Sequence, residues 1–232
     1  MSVRAFITPE RRLGPPSRAE DLSVGLLVVL TFVTGAVDAV SYVGLDRVFT
    51  ANMTGNVALL GFAAGGADAL PLLRSGIALG AFVLGAAMGG RVMRQVDRDI
   101  RWPRPITGTL LTSATILLVI FLVWVGRNEP SQPELAAFGM ALAMGLQGST
   151  VRALGIADVP TTVVTSTLTG LASDSRLGGG TSTRWKRRIG TVIALVLGAV
   201  ASAALIQVSP ALGLLPAIAA LLTVSAAAAL SG

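Results

Sequence analysis

The sequence of 232 residues contains no cysteine and no histidine. Without Cys there is no disulfide, no thiolate metal site and no Cys nucleophile. Without His, the commonest general base and transition-metal ligand are missing, and the usual catalytic triad with them. Charge is scarce too. The 18 Lys and Arg and 12 Asp and Glu make up 13% of the chain, against about 25% in a soluble domain. No P-loop, dinucleotide fingerprint, HExxH or GxSxG motif occurs. The expectation is a protein that is not an enzyme, with no cofactor, no metal site and no nucleic-acid partner.

What is present is apolar. Hydrophobic residues make up 53% of the chain and the mean hydropathy is +0.74. Such a chain has too little polar surface to cover a water-soluble globule, so its solvent is the lipid bilayer. The expected fold is all-α, a polytopic bundle of transmembrane helices. The net charge of +6 then reads as topology, because membrane proteins collect Lys and Arg in cytoplasmic loops.

Residues 1–21 are polar, carry Arg4, Arg11, Arg12 and Arg18, and are expected to form a cytoplasmic N-terminal tail without a cleavable signal. Apolar runs follow at Leu22–Leu45, Val48–Gly66, Leu72–Val92 and Ile106–Val125. The second half has the same grammar, with Leu135–Ile156, Val159–Ser173, Ile189–Val208 and Ala211–Leu230. In each half the second run is rich in Thr and the third in small residues. Shifting the chain by 111 residues sets Val40 on Val151, Gly44 on Gly155, Thr50 on Thr161, Thr54 on Thr165 and Leu60 on Leu171. A two-residue insertion then sets Gly85 on Gly198. The chain therefore reads as an internal repeat, 22–126 and 127–232, a common plan in transporters.

Fourteen of the 18 basic residues fall in 1–21, 91–104 and 176–188. Eight crossings from a cytoplasmic N-terminus put 91–104 outside, against the charge rule. Six full crossings, with the two short Thr-rich segments dipping in and returning, put all three clusters inside. That arrangement is favoured over eight spans. It gives each half three crossings, so the halves are inverted and the Thr-rich segments are expected to meet near the middle.

Several polar residues lie within these apolar runs. Asp38, in the first span, is a candidate proton or cation site or a carboxylate that caps a broken helix. Asn52, Thr54 and Asn56, and Thr162, Thr165 and Thr169, offer neutral donors and acceptors to a small solute or ion, or hold helices together. Gln147, Ser149 and Arg152 share the fifth run. The 111 shift sets Ser149 on Asp38 and Arg152 on Ser41, so an Asp38–Arg152 pair is an expectation, against the alternative that Arg152 snorkels to the interface. Gly76, Gly80, Gly85 and Gly89 read as a close-packing face, with a homo-oligomer contact as a second use.

The stretch TGAVDAVSYVGLDRVFTANMTGNVALLG, Thr34–Gly61, closely resembles the signature of the YoaK-like family of bacterial inner-membrane proteins, which carry a domain of unknown function. MGLQGSTVRALGIADVPTTVVTSTLTGLASD, Met144–Asp174, is similar to that family's second motif. The pattern falls on Gly35, Asp38, Phe49, Asn52, Met53, Thr54, Gly55 and Asn56, then on Gln147, Arg152, Thr162, Thr165 and Thr169. Two departures occur: Gln147-Gly148-Ser149 where Q-N-A is expected, and Thr165-Ser166 where T-G is expected. The resemblance implies a multi-pass inner-membrane protein distantly akin to major-facilitator-type transporters, and names no substrate. The functional expectation is a small-solute transporter or channel-like protein with a polar midplane site; the alternative is a non-transporting scaffold or accessory subunit.

Overall fold

A computed structural model describes residues 18–67, 72–94, 104–127, 130–154, 164–182 and 185–231. Within them the chain is all-helical: α1 Arg18–Gly44, α2 Met53–Ala64, α3 Leu72–Met93, α4 Arg104–Arg127, α5 Pro133–Leu154, α6 Val164–Ser173, α7 Trp185–Ile206 and α8 Leu215–Ser231. Short 3-10 turns occur at Arg176–Gly178 and Leu212–Leu214. A helix satisfies its own backbone hydrogen bonds, which is the condition for crossing lipid. Five helices are long and apolar enough to do so: α1 from Leu22, α3, α4, α7 and α8 with the turn before it. α2 and α6, with 12 and 10 residues, reach only about 18 and 15 Å at 1.5 Å per residue. The apolar core of a bilayer is about 30 Å thick, longer than either short helix within the described residues.

Packing is organised by two intimate helix pairs, α3 with α5 and α1 with α7. Glycine allows both. A Cβ on Gly85 would run into the carbonyl oxygen of Leu142, and one on Gly145 into that of Phe82. The same reciprocal arrangement joins Gly35 to Leu195 and Gly198 to Phe32. Gly89 lies against Ser149, whereas Gly76 and Gly80 have nothing near them among the described residues. Only the second half of the expected small-residue face of α3 is therefore used for packing within the chain. α4 packs on α5 and α8 on α1, while α4 and α8 touch each other.

Burial repeats along the chain with these contacts. Residues 25–44 and 135–154 have the same burial at every position but Val28 and Phe138. That sets Gly35 against Gly145 and Asp38 against Gly148, one residue off the register the sequence suggested for this pair of helices. Identity between the two stretches is weak, and close backbone contact at glycine decides the register instead. α2 and α6 keep the 111 spacing, so that buried Asn56 corresponds to buried Thr167.

Chain direction follows from contacts at helix ends. The Arg74 guanidinium, at the start of α3, donates from Nε to Glu134 Oε1 at 3.0 Å, at the start of α5. Further along, Gly85 and Gly145, then Gly89 and Ser149, meet at the same spacing of sixty positions. α3 and α5 are thus parallel. Arg74 Nη1 also donates to Leu45 O at 3.3 Å, just past the end of α1. The end of α1 and the starts of α3 and α5 therefore share one end of the bundle. Since α1 arrives there and α5 departs, these two helices run in opposite senses.

Candidate functional site

α1 does not pass directly into another helix. Asp46 and Arg47 take φ of 61° and 62°, a left-handed conformation uncommon outside glycine. They turn the chain back so that 48–52 runs beside the last turns of α1. Val48, Thr50 and Ala51 are buried there. Non-helical backbone carries unpaired N–H groups, and Asp38 supplies their acceptor. Its Oδ1 accepts from the N–H of Thr50 at 3.1 Å, Ala51 at 2.8 Å and Asn52 at 3.3 Å. Thr50 Oγ1 donates to Ser41 Oγ at 3.2 Å, and Ser41 Oγ to Asp38 O at 3.2 Å.

Asn56 completes the staple from the first turn of α2. Its Nδ2 donates to Phe49 O at 2.6 Å, and its Oδ1 accepts from Phe49 N at 3.1 Å. One side-chain amide thus does the work of a strand neighbour for one residue. Asn52 caps α2, its Oδ1 accepting from Gly55 N at 3.4 Å. Gly55 is required because a Cβ there would meet the Phe49 ring. Thr54 and Asn52 are exposed. All three N–H groups use Asp38 Oδ1, so the motif holds the reading of Asp38 as the carboxylate that caps a broken element.

The second-half residues are distributed differently. Gln147 is buried; its Nε2 donates to Leu30 O at 3.0 Å and to Thr34 Oγ1 at 3.3 Å. This bridges α5 to α1. Gln147 Oε1 is buried with no hydrogen-bond partner among the described residues. Thr150 Oγ1 and Thr109 Oγ1 lie 2.9 Å apart, and Ser113 Oγ donates to Ala143 O at 3.0 Å, tying α5 to α4. Ser149 Oγ donates to Leu146 O within its own helix. Thr165 and Thr169 are exposed on α6, and Thr162 lies outside the described residues.

Two expectations are corrected here. Asp38 is held by backbone N–H groups and makes no pair with Arg152, which is exposed at the far end of α5. The reason is direction. Asp38 is six residues from the end of α1 at the Arg74 end of the bundle, whereas Arg152 is eighteen beyond Glu134, roughly 27 Å along α5. The short helices do not meet either. α2 packs on α3 and α6 on α7, with no contact between α2 and α6 among the described residues. Each rests on the helix that follows it, the neighbour nearest in the chain.

Residues not singled out by sequence now matter: Thr34, Ser41, Thr109, Thr167 and Arg74. Thr167 was legible as the repeat mate of Asn56 at 111; the others answer backbone or side-chain groups that only contact reveals. Among the described residues no group of three or more Asp or Glu could hold a metal.

Comparisons agree with this helical, membrane-type architecture. The chain is 35% identical over 149 residues to the UPF0700 transmembrane protein YoaK of Bacillus subtilis (strain 168). The match covers 64% of this chain and 65% of that protein, so the chain spans just under two thirds of the length of that relative. No solved structure matches. A sequence profile described as "Protein of unknown function (DUF1275)" matches residues 26–228. That stretch runs from the first turns of α1 almost to the end of α8, and the chain belongs to the DUF1275 family of integral membrane proteins.

Proposed function

We propose that the protein is a small-solute transporter of the bacterial inner membrane rather than an enzyme. In this reading α1, α3, α4, α5, α7 and α8 cross the bilayer, while α2 and α6 enter and return on one face each. The halves 22–126 and 127–232 are an inverted repeat. The opposite senses of α1 and α5, and the recurrence of burial along the two halves, support it.

Charge supports an orientation. Arg91, Arg94, Arg104, Arg176, Lys186, Arg187 and Arg188 belong to the end opposite Arg74, and the positive end of a membrane protein faces the cytoplasm. The N-terminus is then cytoplasmic, and Asp46, Arg74 and Glu134 lie outside.

The observation that carries the reading is the non-helical stretch 48–52 held inside the end of α1 by Asp38. Irregular backbone at membrane depth belongs beside protein or a water-filled path. Broken elements of this kind form the sites of inverted-repeat transporters, which work by rocking one half against the other. Asp38 is the proposed coupling group. A neutral acid accepts weaker hydrogen bonds than a carboxylate, so protonation would loosen its hold on the start of α2. Gln147, with an open Oε1 in the middle of the bundle, and Thr34 are the proposed solute contacts, and Asn52 and Thr54 line the approach.

The test is proton flux in proteoliposomes carrying an internal pH dye, with a potassium diffusion potential imposed. Protein-dependent flux that Asp38→Asn abolishes, in a variant that remains folded, is the expected result. Flux no faster than in empty liposomes, with a stoichiometric partner co-purifying, would replace this reading with that of a scaffold or accessory subunit. Gly76 and Gly80 favour that second reading: they form a small-residue face on α3 that nothing among the described residues covers.

A further inference from the structure

The segment joining α6 to α7 is a built loop. Ser175 Oγ donates to Ala172 O at 2.7 Å and accepts from Gly178 N at 3.3 Å. Gly180 N donates to Ser175 O at 2.9 Å, and Ser182 N to Asp174 O at 2.8 Å. Side chains on Gly178 or Gly180 would strike the backbone of Ser173 or Asp174, and Gly179 has φ of 80°. The loop is closed on itself with glycine wherever the backbone is crowded.

Between this loop, α6 and the start of α7 lies an open pocket of about 390 Å³. It falls within the ~300–1,000 Å³ of small-ligand sites. Arg176, Arg188, Ser175, Ser182 and Trp185 contribute to its wall. The Arg188 side chain is only 12% exposed, and its Nη1 donates to Gly170 O and, at 2.6 Å, to Asp174 Oδ2. Gly170 makes that approach possible, since a Cβ there would meet the guanidinium. Asp174 balances one of the two guanidinium groups of the pocket. Lys186 and Arg187 follow directly in the chain, with Lys186 Nζ 6.0 Å from the Trp185 ring centre.

The surroundings belong to a lipid interface. Leu177 is fully exposed at the tip of the loop and Trp185 is 47% exposed at the start of an apolar helix. Trp marks the level of lipid headgroups, and basic pockets at the cytoplasmic side of helix bundles take anionic ones. We propose that this pocket binds the phosphate of an anionic phospholipid, with Arg176 and Arg188 on the phosphate, Ser182 as a neutral donor, and Leu177 beside the acyl chains. Asp174 competes with the phosphate for Arg188. This site is separate from the transport reading and stands or falls without it.

The test is native mass spectrometry of the full chain in neutral detergent, with phosphatidylglycerol or phosphatidylcholine added at equal concentration. Wild type is expected to retain the anionic lipid preferentially. Arg176→Gln is expected to lower its retention about fivefold, the worth of one Arg near an anionic surface. Asp174→Asn is expected to raise it, an increase that a purely structural Asp174–Arg188 pair would not produce. Equal retention of both lipids would overturn the proposal. So would displacement by excess glycerol 3-phosphate, which would assign the pocket to a soluble phosphate. A loss in Asp174→Asn parallel to that in Arg176→Gln would overturn it as well.

Discussion

Gly85 of α3 and Gly145 of α5 face each other so closely that a side chain on either would enter the other helix's backbone. Gly35 and Gly198 repeat this relationship between α1 and α7. The two contacts hold the halves together, because each joins a helix of one half to a helix of the other.

The first prediction concerns these contacts. Gly145→Ala drives a methyl into Phe82 O and Ala86 N, neither of which can rotate away. It is expected to cost at least the ~1–3 kcal/mol of ordinary overpacking. Gly80→Ala on the open face of α3 is expected to be neutral or stabilising by up to ~1 kcal/mol, the helix preference of Ala over Gly. Thermal melting in detergent separates the two.

Asp38 should tolerate loss of charge better than loss of an acceptor. Asp38→Asn keeps an Oδ1 for the N–H groups of Thr50, Ala51 and Asn52 and is expected to fold. Asp38→Leu leaves three donors unanswered, at roughly 1–3 kcal/mol for each one buried. Its yield of monodisperse protein on size-exclusion chromatography should collapse, and equal yields of the two variants would remove the capping role.

For Asn56 the order is reversed. Asn56→Asp keeps the shape but sets a carboxylate oxygen against Phe49 O at the present 2.6 Å contact. It should destabilise more at pH 8 than at pH 4, where the acid can be protonated and donate. Melting temperatures across that range provide the check.

Glu134, at the outer end of α5 ahead of its apolar run, has its pKa lowered below 4.5 by the hydrogen bond from Arg74, and next by one from its own backbone. A carboxylate with a depressed folded value contributes stability above its unfolded pKa and loses it as the pH falls through the folded one. The advantage of wild type over Glu134→Gln should therefore be constant above pH 5 and shrink below 4.5. An advantage unchanged at pH 3 would contradict the pairing.

The absence of native Cys makes topology directly measurable. Gln132→Cys is expected to react with a membrane-impermeant maleimide on whole cells, and Arg104→Cys only after permeabilisation. Eight crossings would reverse both results.

Sequence alone determined the solvent of this protein, the number and order of its apolar segments, and the shortness of the second Thr-rich one, Val159–Ser173. Those properties are local, set by hydropathy and length. It also located Asp38, Asn52 and Asn56, because polar groups stand out in an apolar run. Their partners were silent, since the N–H groups of Thr50 and Ala51 and the carbonyl of Phe49 are the same in any residue. Tertiary structure decided the register of 110 between α1 and α5, and the pairing of each with a helix of the opposite half. Lipid and protein are equally apolar neighbours, so hydropathy cannot choose the face that packs; close approach at Gly35, Gly85, Gly145 and Gly198 does.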